Sequence, residues 1–334
     1  MNIVVTGAFG NVGRSAVNAC LDAGHRVGIF EAPHALAKAK AGVSRLVKGR
    51  WRDCRYAFGD VREPGDVMRA LALFPEGTDA VIHLAALIPP AADKKPGLAR
   101  DINVGGTSNM IEACKALPHP PRFVLASSVA VYGDRLDEYW ISSTDKLAPD
   151  DTYGRSKVAC EEILRASGLD FTILRLTYVV WYKWRKADPY MFAMPARTRL
   201  EVVHTEDAGR AFAAAASTPG ASGKTLNIGG GASCRTVFRA YLDRMFRCFG
   251  LGNADFLTDE AFAKNGFHCG WFLDSDEAEA LLGFRRKTLE DYYDEVRWDT
   301  RFIRPFGALA APFIRTKLKS GSPFVLRSAA ARQH

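Results

Sequence analysis

Apolar and polar positions fall in blocks along this chain. The apolar run Ile3-Val4-Val5 leads into a glycine-rich turn and then a stretch of helical composition at 11–23. Short apolar runs bounded by turn signals read as buried strands of a parallel sheet. By that reading strands lie at 2–6, 26–31, 55–58, 79–84, 122–126 and 171–175. Later pieces at 201–203 and 225–228 are expected to join the sheet or its edge. Helices are predicted at 11–23, 64–73, 101–116, 153–167, 206–217, 235–248, 259–264, 275–282 and 288–296. Strand and helix alternate to about residue 175, which predicts an α/β fold with a doubly wound parallel sheet. Segment 34–54, rich in Lys, Arg and Ala, is left without an element.

Chemistry enters at the first turn, Thr6-Gly7-Ala8-Phe9-Gly10-Asn11-Val12-Gly13. Gly7 permits a tight turn, Gly10 lets the backbone approach a pyrophosphate, and Gly13 lets the helix pack closely on the strand. Phe9, Asn11 and Val12 complete a loop that offers N–H groups to the phosphates at a helix N-terminus. Strand 26–31 ends at Glu31, about 20 residues beyond the glycines, where a carboxylate can accept from both ribose hydroxyls of NAD. No Arg or Lys follows Glu31 directly, which favours NAD over NADP. Further on, Tyr153 and Lys157 stand four residues apart, on one face of a helix. A free tyrosine ionises near pH ~10. A cation held close to it favours the anion, so the pair can move a proton on or off a hydroxyl. Ser128 lies just past the end of strand 122–126, where open α/β sheets bind ligands.

With these elements the chain resembles the extended short-chain dehydrogenase/reductase family over most of residues 1–230. Further landmarks run in order: Gly59-Asp60-Val61, His83-Leu84-Ala85-Ala86, the helix opened by Asn103, Tyr132-Gly133, Leu174-Arg175, His204 with Asp207, and Asn227-Ile228-Gly229-Gly230. The resemblance implies a Rossmann-type NAD-binding domain at 1–177, with its sheet completed by parts of 201–230. It implies a substrate lobe from 178–200 and 232–300, and leaves 301–334 as a basic, apolar tail. It also implies roles. Tyr153 is the proton donor or acceptor. Lys157 lowers its pKa and holds the nicotinamide ribose. Ser128 hydrogen-bonds the same substrate oxygen. Asp60 and Val61 flank the adenine, and Leu84, Ala85 and Ala86 line the nicotinamide-ribose side. Asn103 is either a helix cap or part of a proton relay, and His204 anchors a loop. Ile88, Ser128, Ala130, Tyr178 and Trp181 are candidates for contact with substrate. A homodimer through helices 101–116 and 153–167 is expected on the same ground.

The lobe departs from the sugar-nucleotide epimerases of this family. Tyr178 stands where many have Asn, and Leu200 where they place an Arg for a diphosphate. Val129-Ala130 replaces the Asp-Glu of the dehydratases. The loop after Arg175 is aromatic (Tyr178, Trp181, Tyr182, Trp184, Tyr190, Met191, Phe192, Met194) and suits a largely apolar small-molecule substrate. Lys183, Arg185 and Lys186 keep an acidic group on the ligand open.

Composition adds limits. The 334 residues, 48% hydrophobic and 25% charged, are ordinary for a globular chain. No apolar stretch is long enough to span a membrane. Met1 already begins the first strand, and the 7 cysteines show no CxxC, so a cytoplasmic protein with reduced thiols is expected. The 7 dispersed histidines give no metal site. The net charge is +8, and the tail beyond residue 300 holds seven bases and no acid. That tail is expected to strap over its own domain or a partner subunit. Contact with an anionic membrane is the alternative, set against by Pro305, Pro312 and Pro323, which should interrupt a long helix. No basic stripe calls for nucleic acid. The chain is therefore expected to be an NAD-dependent oxidoreductase of a secondary alcohol or its ketone. The alternatives are an epimerase using the same hydride step and a non-catalytic dinucleotide-binding scaffold.

Overall fold

The strands that the apolar runs predict form a 7-stranded sheet in the computed structural model, which describes residues 1–34, 41–181 and 189–325. They are β1 (Asn2–Thr6), β2 (Arg26–Glu31), β3 (Arg55–Phe58), β4 (Ala80–His83), β5 (Arg122–Ser128), β6 (Phe171–Leu176) and β7 (Lys224–Ile228). All pairs are parallel, in the order β7-β6-β5-β4-β1-β2-β3. This is the Rossmann-type α/β fold, and its order reverses between β1 and β4, the place where such sheets hold ligands.

Successive strand residues serve opposite faces. Ile3 and Val5 join Ile29, Ile82 and Leu174 beneath helices Asn11–Asp22 and Thr205–Ser217. Val4 joins Phe30, Phe123 and Ile173 beneath helices Pro64–Leu71, Gly106–Lys115 and Thr152–Ala166. A third core fills the lobe, where Phe238, Tyr241, Phe262, Phe272 and Tyr292 meet.

Strand Arg199–His204 corrects one expectation. It does not join the main sheet but pairs with Tyr178–Val180 and Arg235–Val237. Its alternation explains this: Leu200 and Val202 enter the lobe core while Val203 enters the sheet core, so the strand bridges the two. Glu201 within it is fully buried and satisfied by Arg235, Ser275 and the N–H groups of Gly231 and Phe272. Residues 235–237 are thus strand, and the predicted helix begins at Phe238. The piece at 259–264 shrinks to a single turn, Asp259–Ala261.

The tail brings a second correction. Arg304–Ser320 is one helix, with Pro305 at its start and Pro312 inside. Pro312 removes one backbone donor, and docking compensates: Ala311 is buried, and the Arg315 Nε donates to the Leu251 carbonyl at 2.7 Å. Tyr182, Lys183, Trp184, Arg185, Lys186, Arg327 and Arg332 lie outside the described residues.

Candidate active site

The glycine turn is built as its sterics require. Gly7 has φ +67°, and a Cβ there would lie 2.8 Å from the Ala85 nitrogen. A Cβ on Gly13 would lie 2.2 Å from the Gly7 carbonyl oxygen, whereas one on Gly10 would meet that oxygen at 3.2 Å. Helix Asn11–Asp22 starts at Gly10 with no side-chain cap and no acid in its first turn. Its first N–H groups, at Asn11, Val12 and Gly13, carry positive partial charge. A pyrophosphate fits this cradle. Glu31 faces the same turn: its carboxylate accepts from the Phe9 N–H at 2.9 Å and the Ala32 N–H at 3.1 Å.

Thr6 joins the turn to the end of β4. Its hydroxyl accepts from the Leu84 and Ala85 N–H groups, both at 3.1 Å, and meets His83 Nδ1 at 2.9 Å. His83 Nε2 meets the Thr107 hydroxyl at 3.1 Å. Burial, aided by the Lys157 charge, pushes the His83 imidazole down to about 3. Leu84, Ala85 and Ala86 thus run half-buried beside Gly7. Asn103, in a π-helical turn, clamps the next residue: it accepts from the Leu87 N–H at 2.7 Å and donates to the Leu87 carbonyl at 3.0 Å and the Ser156 hydroxyl at 3.1 Å. It therefore lies inside the helix and is not its cap.

The three proposed catalytic side chains come together. Ser128 ends β5 and Tyr153 opens helix Thr152–Ala166, which Asp151 caps through the Gly154 N–H. The Ser128 hydroxyl lies near the Tyr153 phenol and favours its ionised form. Lys157 Nζ lies 5.6 Å from the centre of the Tyr153 ring and donates to the Ala126 carbonyl at 2.7 Å. The electrostatics differ from expectation. Burial pushes the Tyr153 phenol up, with the nearby Ser128 hydroxyl opposing it, and also pulls the Lys157 ammonium down. In the chain alone the phenol keeps its proton, because a dry site penalises both charges.

Other sequence expectations fare variously. Asp60 is held by Arg62 at 2.5 Å, and burial aside, that bond keeps its carboxyl below the usual range. Val61 packs under Gly106, where a Cβ would lie 2.7 Å from it. Ile88 is 57% exposed and open to a ligand, whereas Ala130 is 1% exposed. Tyr178 packs edge-on against Tyr241 at 6.0 Å, and Phe192 and Met194 join the same lobe core. Trp181 sits under the Arg14 guanidinium at 4.9 Å, lining a groove of about 860 Å³ with Thr205 and Glu206 along the two outer helices. His204 caps helix Thr205–Ser217 and meets Glu295 at 3.0 Å, a structural anchor.

Two groups received no role from the sequence. His268 Nδ1 reaches to 3.7 Å from the capping Asp151, forming a cluster with Asp150. Arg175, 2% exposed, grips Glu161 with two bonds (2.9 and 2.7 Å) and donates to the Tyr132 hydroxyl at 2.8 Å. The apolar setting of Arg175 in β6 and an acid on a mostly buried helix face were the available signals.

The model of the NAD dependent epimerase/dehydratase family matches residues 3–229. The chain belongs to this family. It is thus an enzyme of an NAD-dependent family, and NAD is its cofactor. Among curated relatives, D-erythronate dehydrogenase of Haemophilus influenzae is 31% identical over 140 residues, 41% of this chain and 44% of that one. UDP-glucose 4-epimerase of Lacticaseibacillus casei is 31% identical over 180 residues, 52% of this chain and 50% of that one. The chain spans about half the length of the curated relatives it matches. Among solved structures, UDP-glucose-4-epimerase of Stenotrophomonas maltophila, crystallised with NAD and formylated UDP-arabinopyranose, superposes with a TM-score of 0.75 at 21% identity, covering 92% of this family member and 99% of that chain. At that identity the likeness speaks for the fold.

Proposed function

We propose that the protein is an NAD-dependent oxidoreductase that interconverts a secondary alcohol and its ketone on a small molecule. The observation that carries this is the convergence of Ser128, at the C-terminal end of β5, with Tyr153 and with Lys157 5.6 Å from the centre of the Tyr153 ring. NAD, when bound, supplies the hydride acceptor or donor. The chain's own residues supply the rest. Ser128 fixes the substrate oxygen, Tyr153 gives or takes its proton, and Lys157 is the buried cation that stabilises the phenolate when the proton leaves. Asn103 and Thr6 hold the Leu84–Leu87 backbone that walls the site.

Net oxidation or reduction is favoured over sugar-nucleotide epimerisation. Leu200 is buried in the lobe core, Arg197 pairs with Asp137, and Arg199 lies over Tyr139, so a diphosphate clamp is missing from its family position. The apolar character expected of the substrate loses its main support, because Tyr178, Phe192 and Met194 pack the lobe. The test is a screen of apolar secondary alcohols and of hydroxy acids such as D-erythronate, read by NADH absorbance. A hit should lose about 10²–10⁴-fold in turnover on Tyr153→Phe, with NAD affinity retained by calorimetry. Full turnover in Tyr153→Phe would sink the assignment. Interconversion of epimers without net NADH would favour the epimerase.

A further inference from the structure

The end of the chain carries a surface the hydride chemistry does not use. Trp298, Phe302, Phe306, Leu309 and Phe313 are 69%, 71%, 72%, 85% and 73% exposed. Phe306, Leu309 and Phe313 are spaced by three and four residues, one row on the helix Arg304–Ser320, while Trp298 ends the preceding helix and Phe302 lies in the turn between them. Single exposed apolar side chains are unremarkable, but a contiguous row marks an interaction site.

The opposite face of the helix Arg304–Ser320 is pinned to the lobe, so the row cannot turn inward. A Cβ on Gly307 would fall 2.0 Å from the Phe249 carbonyl oxygen, so helix and loop are in backbone contact. Gly250, at φ +77°, meets the Arg304 carbonyl in the same way. Ala311 is buried, Ile314 and Leu318 pack on the lobe core, and the Arg315 guanidinium holds the Leu251 carbonyl. The row is therefore a ridge held outward by a rigid seat.

Charge identifies what the ridge meets. Arg301, Arg304, Lys317 and Lys319 are exposed along this helix and the turn before it. Asp294 near Trp298 is paired with Arg297, and no acid follows Asp299 in the chain. The Arg301 guanidinium lies 4.0 Å from the Trp298 ring and 4.3 Å from that of Phe302, a cation set directly among the apolar groups. A second copy of the chain would bring an equally basic face to a two-fold contact, opposing like charges. No described helix is long and apolar enough to cross a membrane. An aromatic ridge with flanking cations on a helix about 26 Å long fits an interfacial helix lying in the plane of a bilayer.

We propose that this helix docks the protein on an anionic membrane surface, with Phe306, Leu309 and Phe313 entering the headgroup–acyl boundary and the flanking cations meeting lipid phosphates and carboxylates. The inner face straps over the lobe as the sequence leads one to expect, and the membrane alternative applies to the outer face, because Pro312 does not break the helix.

Flotation of the full chain with phosphatidylcholine vesicles, with and without roughly one-third phosphatidylserine, tests this. Binding is expected to the anionic vesicles and to fall as salt rises from about 0.1 M to about 1 M, where the Debye length shrinks from about 10 to about 3 Å. The triple variant Phe306→Ser, Leu309→Ser, Phe313→Ser should lose at least about tenfold in binding, since each side chain gives up most of its apolar transfer. Lys317→Glu with Lys319→Glu leaves the ridge intact and should weaken binding at least about fivefold per cation. All five side chains are exposed or at the surface, so an unchanged thermal midpoint is expected and separates lost docking from lost fold. No flotation with anionic vesicles overturns the proposal. Equal binding to neutral vesicles overturns its electrostatic half. Self-association of the natural chain that the serine variant abolishes, without vesicle binding, shows instead that the ridge joins two copies and also overturns it.

Discussion

His83 shows how much a single residue's role depends on its surroundings. In the sequence it is one of several family landmarks after a strand. In the fold it is 1% exposed, wedged between the Thr6 and Thr107 hydroxyls with the Lys157 ammonium nearby. Its ring stays neutral down to about 3, whereas an unfolded chain protonates it near pH ~6.5. Between those values the unfolded state binds more protons, so stability falls as pH drops through that window. At pH ~5 the loss from this one group is about 2 kcal/mol relative to neutral pH. Urea midpoints measured from neutral to acid pH should therefore drop more steeply in the natural protein than in His83→Asn. Parallel profiles would show that the ring titrates normally in the fold. Tyr153 carries the same lesson. Its spacing to Lys157 was readable, but the balance between that cation and burial was not, because burial is set by chain segments far away in sequence.

At the scale of elements, strands and helices were legible because each apolar run serves a buried position with a regular period. The first turn was legible too, since its glycines answer to sterics within a few residues. Those glycines are not equivalent. Gly13→Ala would force a Cβ to 2.2 Å from the Gly7 oxygen and 2.8 Å from the Ala8 Cα, whereas Gly10→Ala meets only the 3.2 Å contact. Overpacking of the first kind costs about 1–3 kcal/mol. Gly13→Ala should lower the thermal midpoint and weaken NAD binding, and Gly10→Ala should unfold close to the natural chain. Equal unfolding of the two variants would contradict this packing. Gly209 has a similar task that no local motif announces: a Cβ there would lie 2.4 Å from the Ser15 backbone, where helices Asn11–Asp22 and Thr205–Ser217 cross. The strand Arg199–His204 was predicted at 201–203, but its sheet was not, for a related reason. Its apolar pattern says that it is buried but not in which core.

Across the whole molecule, a polar chain ties sheet to lobe. Glu161 accepts from Ser127 at 2.5 Å and pairs with Arg175. Arg175 reaches Tyr132 and the Ser143 carbonyl. Tyr132 donates to Asn227, and Asn227 donates to Asp274 at the head of the lobe helix Ser275–Leu282. Removing one partner of a buried pair costs up to about 3–5 kcal/mol, and Glu161 would keep only the partly exposed Arg165 at 3.1 Å and Ser127. Arg175→Met should lower stability by that order in urea unfolding, and the double variant with Glu161→Leu should recover part of it. A double variant as damaged as the sum of the two singles would refute the coupling. The sequence by itself determined the α/β class, the dinucleotide turn and the Ser128, Tyr153 and Lys157 set, because each depends on residues close together in the chain or on a fixed period. Tertiary structure alone decided the rest. It drew Tyr178, Phe192 and Met194 into the lobe core, pushed the Tyr153 phenol up rather than down, and turned Phe306, Leu309 and Phe313 toward solvent. Each of those outcomes turns on which distant segments exclude water from a side chain, and periodicity along the chain carries no record of that.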